Sequence, residues 1–158
     1  MNDRRTFLGI AGLAGAGLFL FGRSTTASAN FKVTHTPDEW RRMLGAERYY
    51  ILREAGTERP FTSALLNEHR RGIFSCAGCA RPLFSSATKF ESGTGWPSFW
   101  KTLPGSVSTR ADHSLLMERT EVLCERCGGH LGHVFDDGPR PTGLRYCMNG
   151  LALNFQTA

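Results

Sequence analysis

Two C-x-x-C motifs constrain this chain more than any other feature of its sequence. Cys76 and Cys79 form the first, Cys124 and Cys127 form the second, and each pair is predicted to lie in a turn at the end of a short strand. Four thiolates supplied by two such turns are the ligand set of a closed tetrahedral zinc site. We therefore expect these residues to bind one structural zinc ion. The alternative is two disulfides in an oxidising compartment, but a disulfide inside a C-x-x-C turn is typical of redox motifs that open a helix, and neither pair does so.

The composition is that of an ordinary globular protein. The chain has 158 residues, of which 41% are hydrophobic and 21% are charged. These values exclude a disordered, collagenous or polytopic membrane protein, and the length fits one domain. The net charge is +5, but acidic residues separate the basic ones, so we expect no nucleic-acid partner.

Residues 1–29 are predicted to be an export signal that precedes the fold. Arg4 and Arg5 begin an R-R-x-F-L stretch that resembles the twin-arginine signature. A glycine-rich uncharged segment follows, and Ala27-Ser28-Ala29 has the pattern of a signal-peptidase site. A retained anchor is the alternative, but the apolar segment is shorter than the roughly 20 residues that span a bilayer. We expect cleavage near Ala29 and a periplasmic domain over residues 30–158.

The remaining chain predicts a mainly β domain with small N-terminal helices. Thr36 and Glu39 form a capping box for a helix that should end near Gly45, and a weaker helical stretch follows over 46–54. Residues 56–71 are polar and rich in turn formers, which indicates a loop. Short β-prone segments then alternate with turn clusters, as in an antiparallel β domain. They cover residues 73–76, 83–85, 107–112, 120–124, 133–135, 144–148 and 151–155.

The fifth cysteine, Cys147, is a candidate nucleophile. On a strand, Arg145, Cys147 and Asn149 would share one face, while Tyr146 and Met148 would face the core. A neighbouring arginine lowers the pKa of a thiol and so favours the reactive thiolate. The alternative is a buried, inert cysteine, which two polar neighbours on the same face make the weaker interpretation.

Two histidines lie close to two acids, Asp136 and Asp137, in the preceding segment. His130 and His133 could supply a proton donor, and one of the acids its orienting carboxylate. A catalytic metal site and a simple surface role for either histidine are the alternatives.

Taken in order, these segments resemble the type B methionine-R-sulfoxide reductase family from about residue 36 to residue 155. The resemblance rests on Cys76-x-x-Cys79, Ser92-Gly93-Thr94-Gly95-Trp96-Pro97-Ser98-Phe99, Arg119-Thr120-Glu121-Val122, Cys124-x-x-Cys127, His130-Leu131-Gly132-His133-Val134-Phe135, Gly138-Pro139 and Gly143-Leu144-Arg145-Tyr146-Cys147-x-Asn149. It implies two antiparallel sheets that meet like a tent, with zinc at the end away from the active site.

The resemblance also implies a reaction. A thiolate attacks the sulfur of an oxidised methionine, the oxygen is protonated and leaves as water, and methionine and a sulfenic acid result. The implied roles are Cys147 as nucleophile, Arg145 as its electrostatic activator, His130, His133 and Asp137 around the sulfoxide oxygen, Asn149 with a water as assistant, and Trp96 as the wall that receives the ε-methyl group. An apolar indole face suits a methyl group.

The chain departs from the family at Thr94, where many members carry a second, resolving cysteine. With the other four cysteines assigned to zinc, regeneration would need an external, thioredoxin-like thiol. The expected protein is thus a monomeric periplasmic enzyme that repairs oxidised exported proteins. A zinc-knuckle binding module and a thiol peroxidase remain alternatives; the first has no need of the Cys147 strand, and the second does not explain Trp96.

Overall fold

The computed structural model describes residues 31–114 and 118–158. The predicted export signal over residues 1–29 lies outside the described residues. A single α-helix, α1 (Pro37–Glu54), precedes the strands in the described part. No helix there is long and apolar enough to cross a membrane.

The helix α1 begins at the predicted capping box. The Thr36 hydroxyl accepts the backbone N–H of Glu39 at 3.3 Å, and the Glu39 carboxylate accepts the N–H of Thr36 at 2.8 Å. At Gly45 the backbone turns to φ 71°, which interrupts the helix without ending it. The predicted boundary is therefore a break within one element, at a residue without a Cβ to oppose positive φ.

Among the described residues, nine strands form two antiparallel sheets, which confirms the predicted fold class. They are β1 (Gly72–Cys76), β2 (Pro82–Ser85), β3 (Lys89–Phe90), β4 (Ser98–Phe99), β5 (Val107–Asp112), β6 (Arg119–Cys124), β7 (His130–Phe135), β8 (Arg145–Met148) and β9 (Leu153–Thr157). The smaller sheet has the order β2-β1-β9, and the larger has the order β3-β4-β8-β7-β6-β5.

Some strand predictions were wrong in detail. The two-residue strands β3 and β4 were missed because so short a segment shows no alternation. Strand β7 begins at His130, three residues before its predicted start. Strand β9 begins at Leu153 because Gly150–Ala152 form a 3-10 turn.

Aromatic side chains join the two sheets. Phe74 on β1 and Phe84 on β2 place their ring centroids 4.9 and 4.3 Å from the ring of Phe99 on β4, and all three are fully buried. Ile51 and Leu52 of α1 belong to the same core. Side chains alternate along a strand, so Ser98, which precedes Phe99 on β4, faces away from this core. Cys147, which is opposite Ser98 on β8, shares that face. The candidate active site lies on that opposite face.

Candidate active site and metal centre

The four cysteines of the two C-x-x-C motifs meet in one cluster. All four Sγ atoms lie within 4.8 Å of one another, with 3.7 Å between Cys76 and Cys127 and 3.5 Å between Cys79 and Cys124. A tetrahedral site with Zn–S bonds of about 2.3 Å holds its sulfurs about 3.8 Å apart, whereas a disulfide needs about 2.05 Å. The N–H of Gly78 points to the Cys76 sulfur at 3.4 Å. The cluster therefore fits one metal ion with four thiolate ligands, as predicted.

A row of polar residues crosses the larger sheet and passes through Cys147. On the paired strands, Arg110 is opposite Glu121, Glu121 is opposite His133, His133 is opposite Cys147, and Cys147 is opposite Ser98. Residues directly opposite in an antiparallel pair share one face of the sheet, with Cβ atoms about 5 Å apart. The register therefore brings the predicted nucleophile and the predicted proton donor next to each other.

The surroundings of Cys147 differ from the sequence-based expectation. Burial raises the pKa of the Cys147 thiol above its ordinary value, and it outweighs the hydrogen bond from Thr94 and the charge of Arg145, both of which lower that pKa. The Thr94 hydroxyl lies 3.8 Å from the sulfur. Arg145 therefore lowers the pKa of the thiol, as expected, but burial outweighs this effect and favours the neutral thiol in the resting site.

Arg145 and Asp137 bind each other. The Arg145 Nε and Nη2 atoms donate to the two Asp137 oxygens at 2.8 Å each, and this hydrogen bonding lowers the pKa of Asp137. The guanidinium carbon also lies 4.3 Å from the centre of the Phe135 ring. The carboxylate of Asp137 therefore fixes the arginine beside Cys147, whereas the sequence had suggested that it orients a histidine.

The orienting carboxylate of His133 comes from another strand. The Nε2 atom of His133 lies 2.8 Å from Asp112 Oδ2, and this oxygen also accepts a hydrogen bond from Arg119 Nη2 at 2.8 Å. A hydrogen bond from the backbone N–H of Ser114 is the largest cause that lowers the pKa of Asp112, so the carboxylate is ionised and only accepts. Burial lowers the pKa of His133 despite its bond to Asp112. Neutral His133 therefore carries its proton on Nε2 and a lone pair on Nδ1.

His130 binds a different carboxylate, that of Glu121. It is 3% exposed, its Nδ1 lies 2.7 Å from Glu121 Oε1, and Arg110 binds the other oxygen of that carboxylate. Burial raises the pKa of Glu121, but the hydrogen bonds from His130 and Arg110 reverse the shift and lower it. Within the described part of the chain, Nε2 of His130 has no hydrogen-bond partner. The ring centroid lies 5.5 Å from that of His133.

A cavity of about 170 Å³ opens above Cys147. Of the predicted site residues, Trp96, His133, Cys147 and Asn149 line it, whereas His130, Arg145 and Asp137 do not. The lining is completed by residues that sequence reasoning did not assign to the site, namely Thr57, Arg119, Gly132 and Phe135. The cavity thus places a thiol and an imidazole beside an indole face.

Two of these lining residues are held by Glu58, which sequence reasoning missed. The Glu58 N–H donates to Asn149 Oδ1 at 3.0 Å, and its carbonyl accepts from Trp96 Nε1 at 3.1 Å. Its buried carboxylate accepts the backbone N–H groups of Gly150 and Leu151. Glu58, in the loop before β1, therefore fixes the position of the turn that follows Asn149. No local pattern marked Glu58, because its partners are remote in sequence.

The chain is similar in sequence to a known family and to several characterised proteins. A family profile described as the SelR domain matches residues 44–157. The chain is 54% identical over 128 residues to the peptide methionine sulfoxide reductase MsrB of Leptospira interrogans, a match that covers 80% of this chain and 98% of the relative. The proteins of the same name from Methanosarcina barkeri and Agrobacterium fabrum are both 52% identical over 126 residues, or 79% of this chain, and the matches cover 89% and 93% of those relatives.

Proposed function

The chain belongs to the SelR-domain family of peptide methionine sulfoxide reductases, and we propose that it reduces methionine-R-sulfoxide in proteins to methionine through Cys147. One observation carries the proposal. Cys147 and His133 are cross-strand neighbours that line the same cavity as Trp96. A thiol peroxidase has no need of this indole wall, and a zinc-binding module has no need of the thiol.

The chemical step is a two-electron transfer from Cys147 to the sulfoxide. The Cys147 sulfur attacks the sulfoxide sulfur while its proton passes to the sulfoxide oxygen, with Nδ1 of His133 as the carrier. The oxygen takes one proton from the thiol and a second proton from solvent, and it leaves as water. That water then adds to the Cys147 sulfur as methionine departs, and one proton returns to solvent. In balance, the S–O bond of the substrate is replaced by an S–O bond on Cys147, now a sulfenic acid, and the methionine sulfur is reduced. The raised pKa of Cys147 suits this step, because the neutral thiol brings the proton with it.

The walls of the cavity orient the substrate. The indole of Trp96, held by the Glu58 carbonyl, offers an apolar face to the ε-methyl group. Asn149 lines the cavity with its amide bound to the backbone, because Oδ1 accepts the N–H of Glu58 and Nδ2 donates to the carbonyl of Leu131, so it holds the wall in place. Arg145 stabilises negative charge as it develops on the sulfur. His130 supports His133 with its adjacent ring.

Regeneration requires a thiol from another molecule. Thr94 stands 3.8 Å from Cys147, where a resolving cysteine would have to lie, and a threonine forms no disulfide. An external thiol attacks the sulfenic sulfur and releases water, and a second thiol then resolves the mixed disulfide. A thioredoxin-like protein suits this role.

The Cys76, Cys79, Cys124 and Cys127 cluster is proposed to hold zinc. Four thiolates at tetrahedral spacing suit this ion, which has no redox chemistry of its own. With no open position for substrate, the ion supplies folding free energy and takes no part in the reaction.

We further propose that the enzyme is exported and repairs proteins outside the cytoplasm. The support is the Arg4-Arg5 signature and the Ala27-Ser28-Ala29 cleavage pattern. Replacing both arginines by lysine should leave the precursor in the cytoplasm. Unimpaired periplasmic delivery of that variant would exclude the twin-arginine route.

The activity is tested with the two separated epimers of N-acetyl-methionine sulfoxide and dithiothreitol as the reductant. The proposal predicts methionine from the R epimer alone and none from the Cys147→Ser variant. Turnover of the S epimer, or full activity without Cys147, would contradict it.

A further inference from the structure

Phe61 combines two unfavourable features. Its side chain is 70% exposed, and its backbone has a φ of 64°, in the left-handed region that bulky residues rarely adopt. Among the described residues, two other non-glycine residues have positive φ, and both have a local reason. Ala55 closes the end of α1, and Ala80 closes the turn of the first C-x-x-C motif. Phe61 neither ends a helix nor gains much burial in return.

The ring of Phe61 lies against Gly95, the residue that precedes the cavity wall Trp96. The Phe61 N–H donates to the carbonyl of Gly95 at 2.8 Å, and a Cβ placed on Gly95 would lie 3.0 Å from the ring. Gly95 stands between Thr94, which contacts the Cys147 sulfur, and Trp96, which walls the cavity. The most exposed large apolar side chain in the described part of the chain therefore contacts the residue that joins Thr94 to the cavity wall Trp96.

We propose that Phe61 is a docking surface for the polypeptide that carries the methionine sulfoxide. This inference rests on the proposed function and deepens it by assigning a residue to substrate recognition. The cavity of about 170 Å³ admits one side chain, so the flanking residues of a peptide must lie across its rim. The loop at this rim includes Gly95, which the Phe61 ring contacts, so the ring offers an apolar surface to a side chain next to the bound sulfoxide. Buried segments of proteins are rich in apolar residues, so a buried methionine commonly has apolar neighbours in sequence. Such segments become accessible when an oxidised protein unfolds.

The strained backbone is what points the ring outward. A φ near 64° reverses the local direction of the chain while the N–H remains bound to Gly95. The hydrogen bond alone does not need an aromatic side chain, because asparagine and glycine adopt the same backbone at lower cost. The hydrogen bond to Gly95 therefore does not explain why residue 61 is a phenylalanine.

The test compares a peptide with a blocked amino acid. We would measure kcat/KM with dithiothreitol for a short peptide with leucine on both sides of methionine-R-sulfoxide, and for N-acetyl-methionine-R-sulfoxide. Phe61→Asn and Phe61→Gly keep the backbone and remove the ring, and they should lower the peptide-to-amino-acid ratio of kcat/KM about tenfold, the loss expected for a buried aromatic contact. Phe61→Tyr should restore the ratio. Met43→Ala, at an apolar residue that is 56% exposed on α1, should leave the ratio as in the wild type.

Three results would overturn the inference. The ratio stays within about twofold of the wild type, or both substrates lose activity equally, which would make the ring a support for the cavity. In the third, the variants raise only the KM for a thioredoxin used as reductant, which would make Phe61 a reductant contact. Failure of the wild-type enzyme to reduce either substrate would instead overturn the proposed function.

Discussion

At the scale of single residues, the proposed chemistry depends on how Cys147 holds its proton. Burial raises the pKa of the thiol, while the Thr94 hydroxyl and the Arg145 charge lower it. Both oxygens of the Asp137 carboxylate bind the Arg145 guanidinium, so part of the positive charge of Arg145 is already neutralised. The resting enzyme is therefore a thiol with stabilising groups in place for the charge that develops during attack.

The titration of Cys147 is directly measurable by its rate of alkylation with iodoacetamide. A raised pKa means less thiolate at neutral pH, so the rate should be below that of a free cysteine at pH 7 and should climb on the alkaline side. Thr94→Val and Arg145→Met each remove an interaction that lowers the pKa, so both should move the rise to still higher pH. Cys147→Ser measures the background from the other cysteines. A rate that is already maximal at neutral pH would contradict this assignment.

His133 and its carboxylate make a second prediction at this scale. His133→Asn should slow methionine formation in a single turnover by about 10²–10⁴-fold, the usual effect of losing a proton carrier. Asp112→Asn should cost less, because it weakens the bond to Nε2 without removing the ring. Asp137→Asn should cost least, since Asp137 binds Arg145. If Asp137→Asn matched His133→Asn and Asp112→Asn were silent, the orienting carboxylate would have to be reassigned.

At the scale of elements, the loop before β1 fixes the walls of the cavity. Glu58 joins this loop to Trp96 and Asn149 through its backbone, and to the turn after β8 through its carboxylate. Phe61 joins the same loop to Gly95. The loop thus holds the two sides of the site in one arrangement.

Removal of the Glu58 carboxylate tests this role. Glu58→Ala leaves the N–H groups of Gly150 and Leu151 without a partner in the protein, at about 1–3 kcal/mol for each buried donor. The free energy of unfolding in urea should fall by that order, and kcat/KM should fall as Asn149 and Trp96 shift. Glu47→Ala removes an exposed carboxylate on α1 and should change neither quantity appreciably. Equal behaviour of the two variants would show that Glu58 does not hold the turn.

What the sequence predicted and what it missed follow from the range of the interactions. The two C-x-x-C motifs predicted a metal cluster because each supplies two ligands within one turn. Longer strands were predicted from their β-prone residues, whereas β3 and β4 pair only because distant strands lie beside them. Asp112 and Glu121 were not paired with their histidines because those contacts join side chains on different strands of β5, β6 and β7, and no local pattern encodes the order of these strands. Asp137 was favoured because it is close to His133 in sequence and because the family resemblance implied a role for it.

At the scale of the whole molecule, the cysteine cluster joins the two sheets. Cys76 and Cys79 belong to the turn between β1 and β2 of the smaller sheet, while Cys124 and Cys127 belong to the turn between β6 and β7 of the larger one. A bound ion at this point links elements that are far apart in the chain. The aromatic contacts among Phe74, Phe84 and Phe99 are the other link.

Metal removal should therefore unfold the domain. Structural zinc contributes apparent free energies of about 10–16 kcal/mol in small metal-dependent domains, so chelation or Cys124→Ser should abolish the cooperative thermal transition. Metal analysis of the purified protein should find one equivalent of zinc per chain. Ser114→Ala, a change outside the cluster, is the matched control. A stable, active protein without bound metal would contradict a structural role.

The most direct test of the central claim is a single turnover without reductant. The purified enzyme is mixed with excess N-acetyl-methionine-R-sulfoxide and dimedone, and the product and the modified cysteine are identified by mass spectrometry. Our account predicts one reduced methionine per chain and one dimedone adduct, on Cys147, with the metal still bound to the other four cysteines. A disulfide between Cys147 and a cysteine of the cluster, formed as metal is released, would contradict it, and so would methionine formation with Cys147 unmodified.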